Sequence, residues 1–386
     1  MTYTSSPGTS VEVEIPSEEE LLERARKLIP FLRERAADID AERSVPPDVI
    51  DAIRDAGLFK VVQPRQFGGY GHDLLTFMRV VQELARGGSS GSAAWVYLVL
   101  GAHQGTVAAL PQCMEEVWGE DDSVLISSSY VPRGTCKKVD GGYVVGGEWP
   151  TSSGCRNAGW ALVGAHGPGL DGQDDHLGFF IPLDEGEIVD DWHAMGLQGT
   201  ASCTITFEGA FVPDHRVTSL TGSRNGLPFW LMATAAINSV IIGFGQSAID
   251  VCIEMVEGKK RSYGTGFITD DLRVQERLGH AQAVVNGCRS RLEGVYREAV
   301  ERVVNGEGLP PGVLANFMDL GRIGQQVQQA VLSLYNTIGP SVVLDKYPFE
   351  RVFRDTLAAS VHPQARFEDE PVELGRQLLG HPDRKQ

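Results

Sequence analysis

The apolar residues in the first third of the chain recur every three or four positions, which is the spacing of amphipathic helices. Ser17 and Glu20 have the form of a capping box at the start of the first of these helices. A glycine cluster at residues 68–71 interrupts the pattern, which then resumes. We therefore predict a helical N-terminal domain over residues 16–122, behind a loose leader at residues 1–15.

From residue 123 onwards, short apolar runs of strand length replace the helical spacing. Gly141 and Gly142 lie between two such runs and are typical of a tight hairpin turn. Residues 123–222 are predicted to form a small β domain, with strand candidates at residues 124–126, 143–145, 160–163, 178–181 and 203–207.

The C-terminal part, residues 223–386, returns to helical periodicity, in four segments at residues 229–257, 271–305, 311–337 and 348–361. Helices joined by short connections pack antiparallel, so we predict a four-helix bundle with a tail. The whole chain is then a mainly α fold with a central β domain. The longest apolar run, residues 231–242, is shorter than the ~20 residues that cross a bilayer, so no membrane segment is expected.

The composition narrows the range of partners and cofactors. The 386 residues carry a formal net charge of −17, and nucleic-acid binding needs a basic face, so we expect no nucleic-acid ligand. The first ten residues are polar and uncharged, unlike a secretory signal, which favours a cytoplasmic location. The six cysteines are scattered without metal-ligand spacing, which predicts reduced thiols and no metal. No Gly-x-Gly-x-x-Gly follows a strand, so a Rossmann dinucleotide site is not indicated.

Three local motifs follow one another along the chain: GEWPTSSG at residues 147–154, GLQGTAS at residues 196–202 and FERVFRD at residues 349–355. Together they resemble the acyl-CoA dehydrogenase scaffold, which has the same order of helical domain, β domain and helical bundle. The resemblance covers nearly everything from Glu18 to Gly380. It implies a flavin lying against the first of the three motifs.

The residues after the third motif separate the branches of this scaffold. Acyl-CoA dehydrogenases have a Tyr-Glu-Gly-Thr stretch after the Arg-Asp pair, and many use its glutamate as the catalytic base. Here TLAASVHP follows Asp355, with His362 close to that place. The chain instead resembles the oxygenase components of two-component flavin-dependent monooxygenases, such as p-hydroxyphenylacetate hydroxylase and related phenol hydroxylases. The form WPTSSGC, Trp149 to Cys155, is also usual in that branch.

This resemblance implies the cofactors and partners. A reduced flavin, FMN or alternatively FAD, would react with O2 to form a C4a-hydroperoxyflavin that hydroxylates an aromatic, phenolic small molecule. The flavin would lie in a dry site between the β domain and the bundle. Since no dinucleotide motif is present, a separate NAD(P)H-dependent reductase would supply the reduced flavin. Long apolar helices such as residues 231–249 favour a homotetramer that buries them.

The resemblance assigns four residues to the flavin ring and its surroundings. Ser153 matches the partner of flavin N5, Thr151 lies beside it, and Trp149 would stack against the isoalloxazine. Ser128 would contact flavin or substrate. The plainer alternatives are turn chemistry for Ser153, a polar strand end for Ser128 and a core position for Trp149.

Three further residues are assigned to the rest of the flavin. Arg261 would bind the flavin phosphate, although the neighbouring lysines also suit a solvated basic face. Gly339 and Ser341 lie where a loop of a neighbouring subunit would meet the flavin, and this rests on analogy of the fold alone.

Two histidines are candidate bases, because phenolate is a better nucleophile than phenol and imidazole accepts protons near neutral pH. His362 is the first candidate, and its alternative is a capping or packing role before Pro363. His103 lies among small and apolar residues, where a buried structural histidine is the alternative.

Three other functions stay open at this point. An acyl-CoA dehydrogenase or oxidase would need a catalytic carboxylate, for which Glu368 is the nearby candidate. An N- or S-oxygenase on the same scaffold is not distinguished by sequence, because the same oxygenated flavin serves both. A flavin- or ligand-binding protein without catalysis is the third alternative.

Overall fold

The computed structural model describes residues 14–107, 110–224, 227–261, 265–365, 375 and 378–380. The helices are α1 (Glu18–Glu42), α2 (Pro47–Asp55), α3 (Leu74–Leu84), α4 (Gly91–Thr106), α5 (Pro111–Trp118), α6 (Phe229–Val256), α7 (Leu272–Val304), α8 (Pro311–Met318), α9 (Arg322–Ile338) and α10 (Pro348–Ser360). The strands are β1 (Ile126–Val139), β2 (Gly142–Ser152), β3 (Trp160–Pro168), β4 (Asp174–Pro182), β5 (Glu187–Val189), β6 (Cys203–Pro213), β7 (Val217–Ser219), β8 (Ser223–Arg224) and β9 (Leu227–Pro228).

The N-terminal helices begin as the sequence predicts. The capping box is confirmed, since the Ser17 hydroxyl accepts the Glu20 N–H and the Glu20 carboxylate accepts the Ser17 N–H at 2.6 Å. The periodic region after the glycine cluster is two helices, α3 and α4, rather than one. Gly87 and Gly88 break it with φ values of 64° and 73°, and the Ser90 side chain caps α4.

The β domain is a seven-stranded sheet in the order β5-β6-β2-β1-β3-β4-β7. The predicted hairpin is confirmed: β1 and β2 are antiparallel, Val139 lies opposite Gly142, and Gly141 has a φ of 73°. β1 also pairs with β3 in parallel, which places Ser128 on a central strand opposite Leu162. The end of β1 that carries Ser128 is therefore held by β3.

Three of the four predicted bundle segments become single helices, α6, α7 and α10. The third is instead two helices, α8 and α9, joined by a 3-10 turn at Asp319–Gly321. The three-domain division stays a prediction. The last helix before the sheet ends at Trp118, and the first helix after the strands begins at Phe229.

Helix α6 packs between the N-terminal helices and the bundle. A Cβ added to Gly243 would lie 2.6 Å from Ala85 Cβ, and one added to Gly245 would lie 2.8 Å from a Val327 methyl and 2.9 Å from a Val285 methyl. Side chains at these two glycines would force the neighbouring helices apart. The position of α6 therefore fixes both layers relative to each other.

Helix α6 extends beyond the apolar run of residues 231–242 on which the expectation of no membrane segment rested. Within the described residues, this one helix of 28 residues is long and apolar enough to cross a membrane, and 89% of its apolar window is buried inside the protein. Asn238 and Ser239, which interrupt the apolar run, donate to the Thr234 and Ala236 carbonyls within the helix. Such bonds let polar residues lie inside a buried helix.

Candidate active site

Two serines meet beside the hairpin of β1 and β2. Ser128 belongs to β1 and Ser153 follows β2, and the two residues form an isolated antiparallel bridge. Both side chains are buried, with 8% and 7% exposure. The pairing of β1 with β2 thus brings two of the predicted site residues together.

Helix α4 crosses this pair and presents one ring nitrogen to each serine. Trp95 Nε1 donates to Ser153 Oγ at 3.1 Å, and His103 Nε2 lies 2.7 Å from Ser128 Oγ. His103 is buried. His103 therefore lies beside Ser128, and its role at the flavin or substrate stays a prediction. Trp95 was missed because an aromatic residue in an apolar helix is ordinarily a core residue.

His362 follows α10 and packs edge-on against Trp95, with ring centroids 5.6 Å apart. Its Nδ1 accepts the Gln364 N–H at 3.3 Å, which leaves the proton of the neutral ring on Nε2. Burial lowers the pKa of His362 to about 4, because the charged imidazolium loses its hydration. The ring is therefore neutral near pH 7 and presents a hydrogen-bond donor at Nε2.

Aromatic rings surround the His103 side of the cluster. The Tyr130 ring lies edge-on to His103, with centroids 6.3 Å apart, and edge-on to Phe229 at 5.2 Å. Burial raises the pKa of the Tyr130 phenol to about 12, so this ring stays neutral. Neutral aromatic walls of this kind exclude water from the polar groups that they cover.

A turn with unusual backbone geometry packs behind Ser153. Leu197 and Ala201 have φ values of 53° and 43°, in the left-handed region that residues with a side chain rarely adopt. Thr200 lies between these two residues and Ser202 follows them, and their hydroxyls form a row with that of Ser153. Ser202 Oγ lies 2.7 Å from Ser153 Oγ and 2.6 Å from Thr200 Oγ1.

Two hydrogen bonds from other elements hold this turn in place. The Gly199 N–H donates to Ser92 Oγ of α4 at 3.0 Å, and the Leu197 N–H donates to Asp355 Oδ1 of α10 at 2.6 Å. Burial, followed by the nearby Asp40 carboxylate, raises the pKa of Asp355 to about 7. The turn thereby connects the β domain to both flanking helices.

Trp149 does not lie where it was predicted to stack on a flavin, and this assignment is corrected. Its side chain has no exposed surface, and it packs in the β-domain core with the Phe207 ring centroid 6.0 Å away. Its indole N–H donates to the Gly164 carbonyl at 2.6 Å. A Cβ on Gly134 would lie only 1.8 Å from the indole ring. The alternative of a core residue is therefore the one that the structure supports.

Thr151 is exposed beside Ser153, with a φ of 61° and its hydroxyl donating to the Pro150 carbonyl at 2.7 Å. Gly154 follows, with a φ of 72°, and its N–H donates to the Thr200 carbonyl at 2.8 Å. The segment therefore turns sharply at Thr151 and again at Gly154, with Ser153 between the two bends. A contact of Thr151 with the flavin stays a prediction.

The remaining predicted residues form a second group. Arg261 pairs with Asp271 at 3.2 Å, while Lys259 Nζ donates to Ser341 Oγ at 2.9 Å. Gly339 ends α9 with a φ of 84°. Within the described residues, no hydrogen bond or ring contact joins this group to the Ser153 cluster. Glu368, the carboxylate considered for a dehydrogenase, lies outside the described residues.

The chemistry of the cluster fits a flavin at Ser153. The Ser153 oxygen accepts the Trp95 N–H, and when Ser153 donates its proton to Ser202, one of its lone pairs is left for a further donor. The N5–H of a reduced flavin is a donor of that kind. Ser153 and Thr151 would hold the ring.

The chain matches two family models, described as the N-terminal domain of acyl-CoA dehydrogenase over residues 16–110 and the C-terminal domain of acyl-CoA dehydrogenase over residues 235–367. The crystal structure of 3-HSA hydroxylase from Rhodococcus sp. RHA1 superimposes with a TM-score of 0.88 and 31% identity, over 96% of this chain and 99% of that one. The fold is therefore that of the acyl-CoA dehydrogenases, as predicted.

Sequence relatives define the branch. The flavin-dependent monooxygenase oxygenase subunit HsaA of Rhodococcus jostii (strain RHA1) is 33% identical over 360 residues, covering 88% of this chain and 93% of the relative. The oxygenase component of FADH(2)-dependent resorcinol hydroxylase from Rhizobium sp. (strain MTP-10005) is 28% identical, over 93% of this chain and 94% of the relative. The chain belongs to the family of flavin-dependent monooxygenase oxygenase components, which use reduced flavin and O2.

Proposed function

We propose that this protein hydroxylates the ring of a phenolic small molecule, and that the His103–Ser128 pair removes the phenol proton. The observation that carries this proposal is the 2.7 Å contact between His103 Nε2 and Ser128 Oγ, both buried beside the proposed flavin partner Ser153. The named relatives support a phenolic substrate, since one of them acts on resorcinol.

The proton moves along the pair in one direction. With the Ser128 O–H donated to His103 Nε2, a lone pair of Ser128 Oγ accepts the phenol proton, and the Ser128 proton passes to the imidazole. The resulting phenolate carries more electron density on its ring carbons. A reduced flavin held by Ser153 and Thr151 would supply the two electrons with which O2 gives one oxygen atom to the ring and the other to water.

His362 acts as a neutral donor in this proposal rather than as the base. Its Nδ1 is occupied by the Gln364 N–H, and its low pKa keeps the ring uncharged. The Nε2–H therefore acts as a hydrogen-bond donor, and it would orient an oxygen atom of the substrate or of the flavin. This leaves proton removal to His103.

A reductase and a homotetrameric assembly also belong to the proposal. A separate reductase supplies the flavin, and FAD is the proposed form because the resorcinol hydroxylase component is named for FADH(2), with FMN as the alternative. A homotetramer would cover exposed apolar side chains on the outer helices and the loop near Ser341, among them Leu272, Leu332, Val343 and Leu344. A cytoplasmic location remains part of the proposal.

The test supplies chemically reduced FAD or FMN to the purified protein with ¹⁸O2 and a panel of phenols. We expect hydroxylated product with one ¹⁸O atom per molecule and little hydrogen peroxide. Oxidation of the flavin with peroxide as the only product, for every phenol and both flavins, would contradict the proposal.

Two substitutions in this protein distinguish an N- or S-oxygenase activity from phenol hydroxylation. Oxidation of an amine or sulfide needs no phenol proton to be removed, so Ser128→Ala and His103→Asn would leave such an activity nearly unchanged. A loss confined to phenols supports hydroxylation.

A further inference from the structure

The hydroxyl row behind Ser153 runs from Ser153 through Ser202 to Thr200 and ends at the Leu197 carbonyl. Its successive distances are 2.7, 2.6 and 2.9 Å, and Trp95 Nε1 meets the other side of Ser153 at 3.1 Å. Thr200 is fully buried, and Ser202 is buried with 5% exposure. Each hydroxyl has only one proton to donate, so the two ends of the row decide its direction.

The direction follows from the carbonyl. A carbonyl oxygen only accepts, so the Thr200 hydroxyl donates its proton to Leu197. Ser202 must then donate to Thr200, and Ser153 must donate to Ser202. The indole N–H at the other end only donates, so Ser153 accepts it. With its proton committed to Ser202, Ser153 has a single lone pair left and no proton to offer.

We propose that Thr200 and Ser202 are positioning residues that fix Ser153 as a pure hydrogen-bond acceptor, and thereby make the site bind reduced flavin more tightly than oxidised flavin. The inference rests on the proposed placement of flavin N5 at Ser153. Reduced flavin has an N5–H that the free lone pair accepts. Oxidised flavin has a bare N5 lone pair, which faces the lone pair of Ser153 without a proton between them.

The chain also offers the substitution that tests this direction. Thr200→Val removes the terminal donor, while the Leu197 carbonyl keeps its bond from Trp192 Nε1 at 3.0 Å and is not left unpaired. Ser202 then has no acceptor beyond it and turns its proton to Ser153. Ser153 in turn becomes free to donate to oxidised flavin. Ser202→Ala has the same consequence one step nearer to the flavin.

The measurement is the dissociation constant of oxidised and of reduced FAD, the latter under anaerobic conditions, together with the reduction potential of the bound flavin. We expect Thr200→Val and Ser202→Ala to lower the ratio of the oxidised to the reduced constant about tenfold, the effect of one hydrogen bond. The potential of the bound flavin falls by about 30 mV for a tenfold change in a two-electron couple. Thr200→Ser keeps the hydroxyl and restores the wild-type ratio.

The matched control is Thr356→Val. Thr356 is equally buried and also donates to a backbone carbonyl, that of Val352 at 2.7 Å, but it is not part of the row. It is expected to lose stability without any change of the ratio. Circular dichroism melting of each apoprotein shows whether a variant is folded, and Ser202→Ala replaces Thr200→Val if the latter is not.

The outcomes separate the inference from its premise. If Ser153→Ala leaves the ratio unchanged, Ser153 does not face N5, and the proposed placement of the flavin is wrong. If Ser153→Ala changes the ratio while folded Thr200→Val and Ser202→Ala do not, the placement stands and the row does not set the direction. A ratio that moves equally in Thr356→Val would also overturn the inference.

Discussion

At the scale of single residues, His103 and Ser128 test the chemistry most directly. His103→Asn keeps a hydrogen bond to Ser128 but does not accept a proton near neutral pH, so we expect hydroxylation of an ordinary phenol to slow by about 10²–10⁴-fold. A nitrophenol is already ionised, so its hydroxylation by His103→Asn should slow much less. Single-turnover product yields with reduced flavin measure both effects.

The control for this substitution is His215→Asn. His215 lies outside the cluster, and its Nε2 is 2.6 Å from a Glu116 carboxylate oxygen. His215→Asn should not change the hydroxylation of either the ordinary phenol or the nitrophenol. An equal loss for ordinary and acidic phenols in His103→Asn would show that the residue does not remove the proton.

His362 gives a prediction about stability and pH. Its pKa in the folded protein, about 4, lies below the ordinary value of 6.5, so the unfolded chain binds the proton first as the pH falls. The stability that goes with the neutral ring is complete above pH ~6.5 and is lost as the pH falls towards 4. Between pH 7.5 and pH 5, the wild type should lose about 1–2 kcal/mol more than His362→Gln.

Denaturant unfolding of both proteins at each pH measures this difference. His362 is partly exposed, and screening by solvent reduces the expected difference towards about 1 kcal/mol. Identical pH dependence of the two unfolding free energies would show that burial does not hold His362 neutral.

Ser128, Ser153, His103 and His362 were each assigned from the resemblance of local motifs, and the structure places the four side chains in one cluster. Their roles stay predictions. Trp149 was assigned wrongly, because a motif does not show which side of a sheet a ring faces. Thr200 and Ser202 stood in a motif that was used only to identify the fold. Their role depends on contacts with Ser153, which is distant in sequence.

At the scale of elements, α4 is the helix that positions the site. It contributes Ser92, Trp95 and His103 to three separate hydrogen bonds with the turn and the two serines. Its distance from α3 is set by Gly101, where an added Cβ would lie 2.6 Å from Phe77. A change at Gly101 therefore acts on the whole site without replacing a polar group.

Gly101→Ala and Gly105→Ala form a matched pair on α4. The first is expected to destabilise the protein by about 1–3 kcal/mol through overpacking and to slow hydroxylation. At Gly105 the nearest atom to an added Cβ is 3.7 Å away, so alanine should stabilise the helix by about 0.5–1 kcal/mol. Thermal and denaturant unfolding measure both, and equal effects of the two would contradict this packing.

Element boundaries were less predictable than element types. The break between α3 and α4 and the break between α8 and α9 were both missed, because apolar spacing continues across them. The hairpin of β1 and β2 was predicted since a Gly-Gly pair forces a local turn. The parallel pairing of β1 with β3 depends on the packing of distant segments and has no local signal.

At the scale of the whole molecule, the second group of predicted residues gives a test of assembly. If Ser341 completes the flavin site of a neighbouring subunit, a Ser153→Ala chain and a Ser341→Tyr chain carry different defects. Mixed tetramers should then regain about a quarter of the wild-type sites, those with a sound Ser153 and a sound neighbour.

Co-expression with two affinity tags isolates the mixed assemblies, and bound reduced flavin per subunit is the quantity measured. Each variant alone must first run at the size of the wild type on gel filtration. Mixed assemblies that bind no more flavin than the separate variants would place Ser341 in the same site as Ser153 or outside any site.

The two glycines of α6 also have a consequence for how this enzyme changes over generations. Gly243 and Gly245 face closely packed neighbours on both sides, so selection should remove nearly every substitution there. Tyr130 and Phe229 line the aromatic side of the cluster. Changes of substrate should therefore arise at residues such as Tyr130 and Phe229, while α6 stays almost unchanged. Mutant libraries that aim at new products are best directed to these aromatic residues.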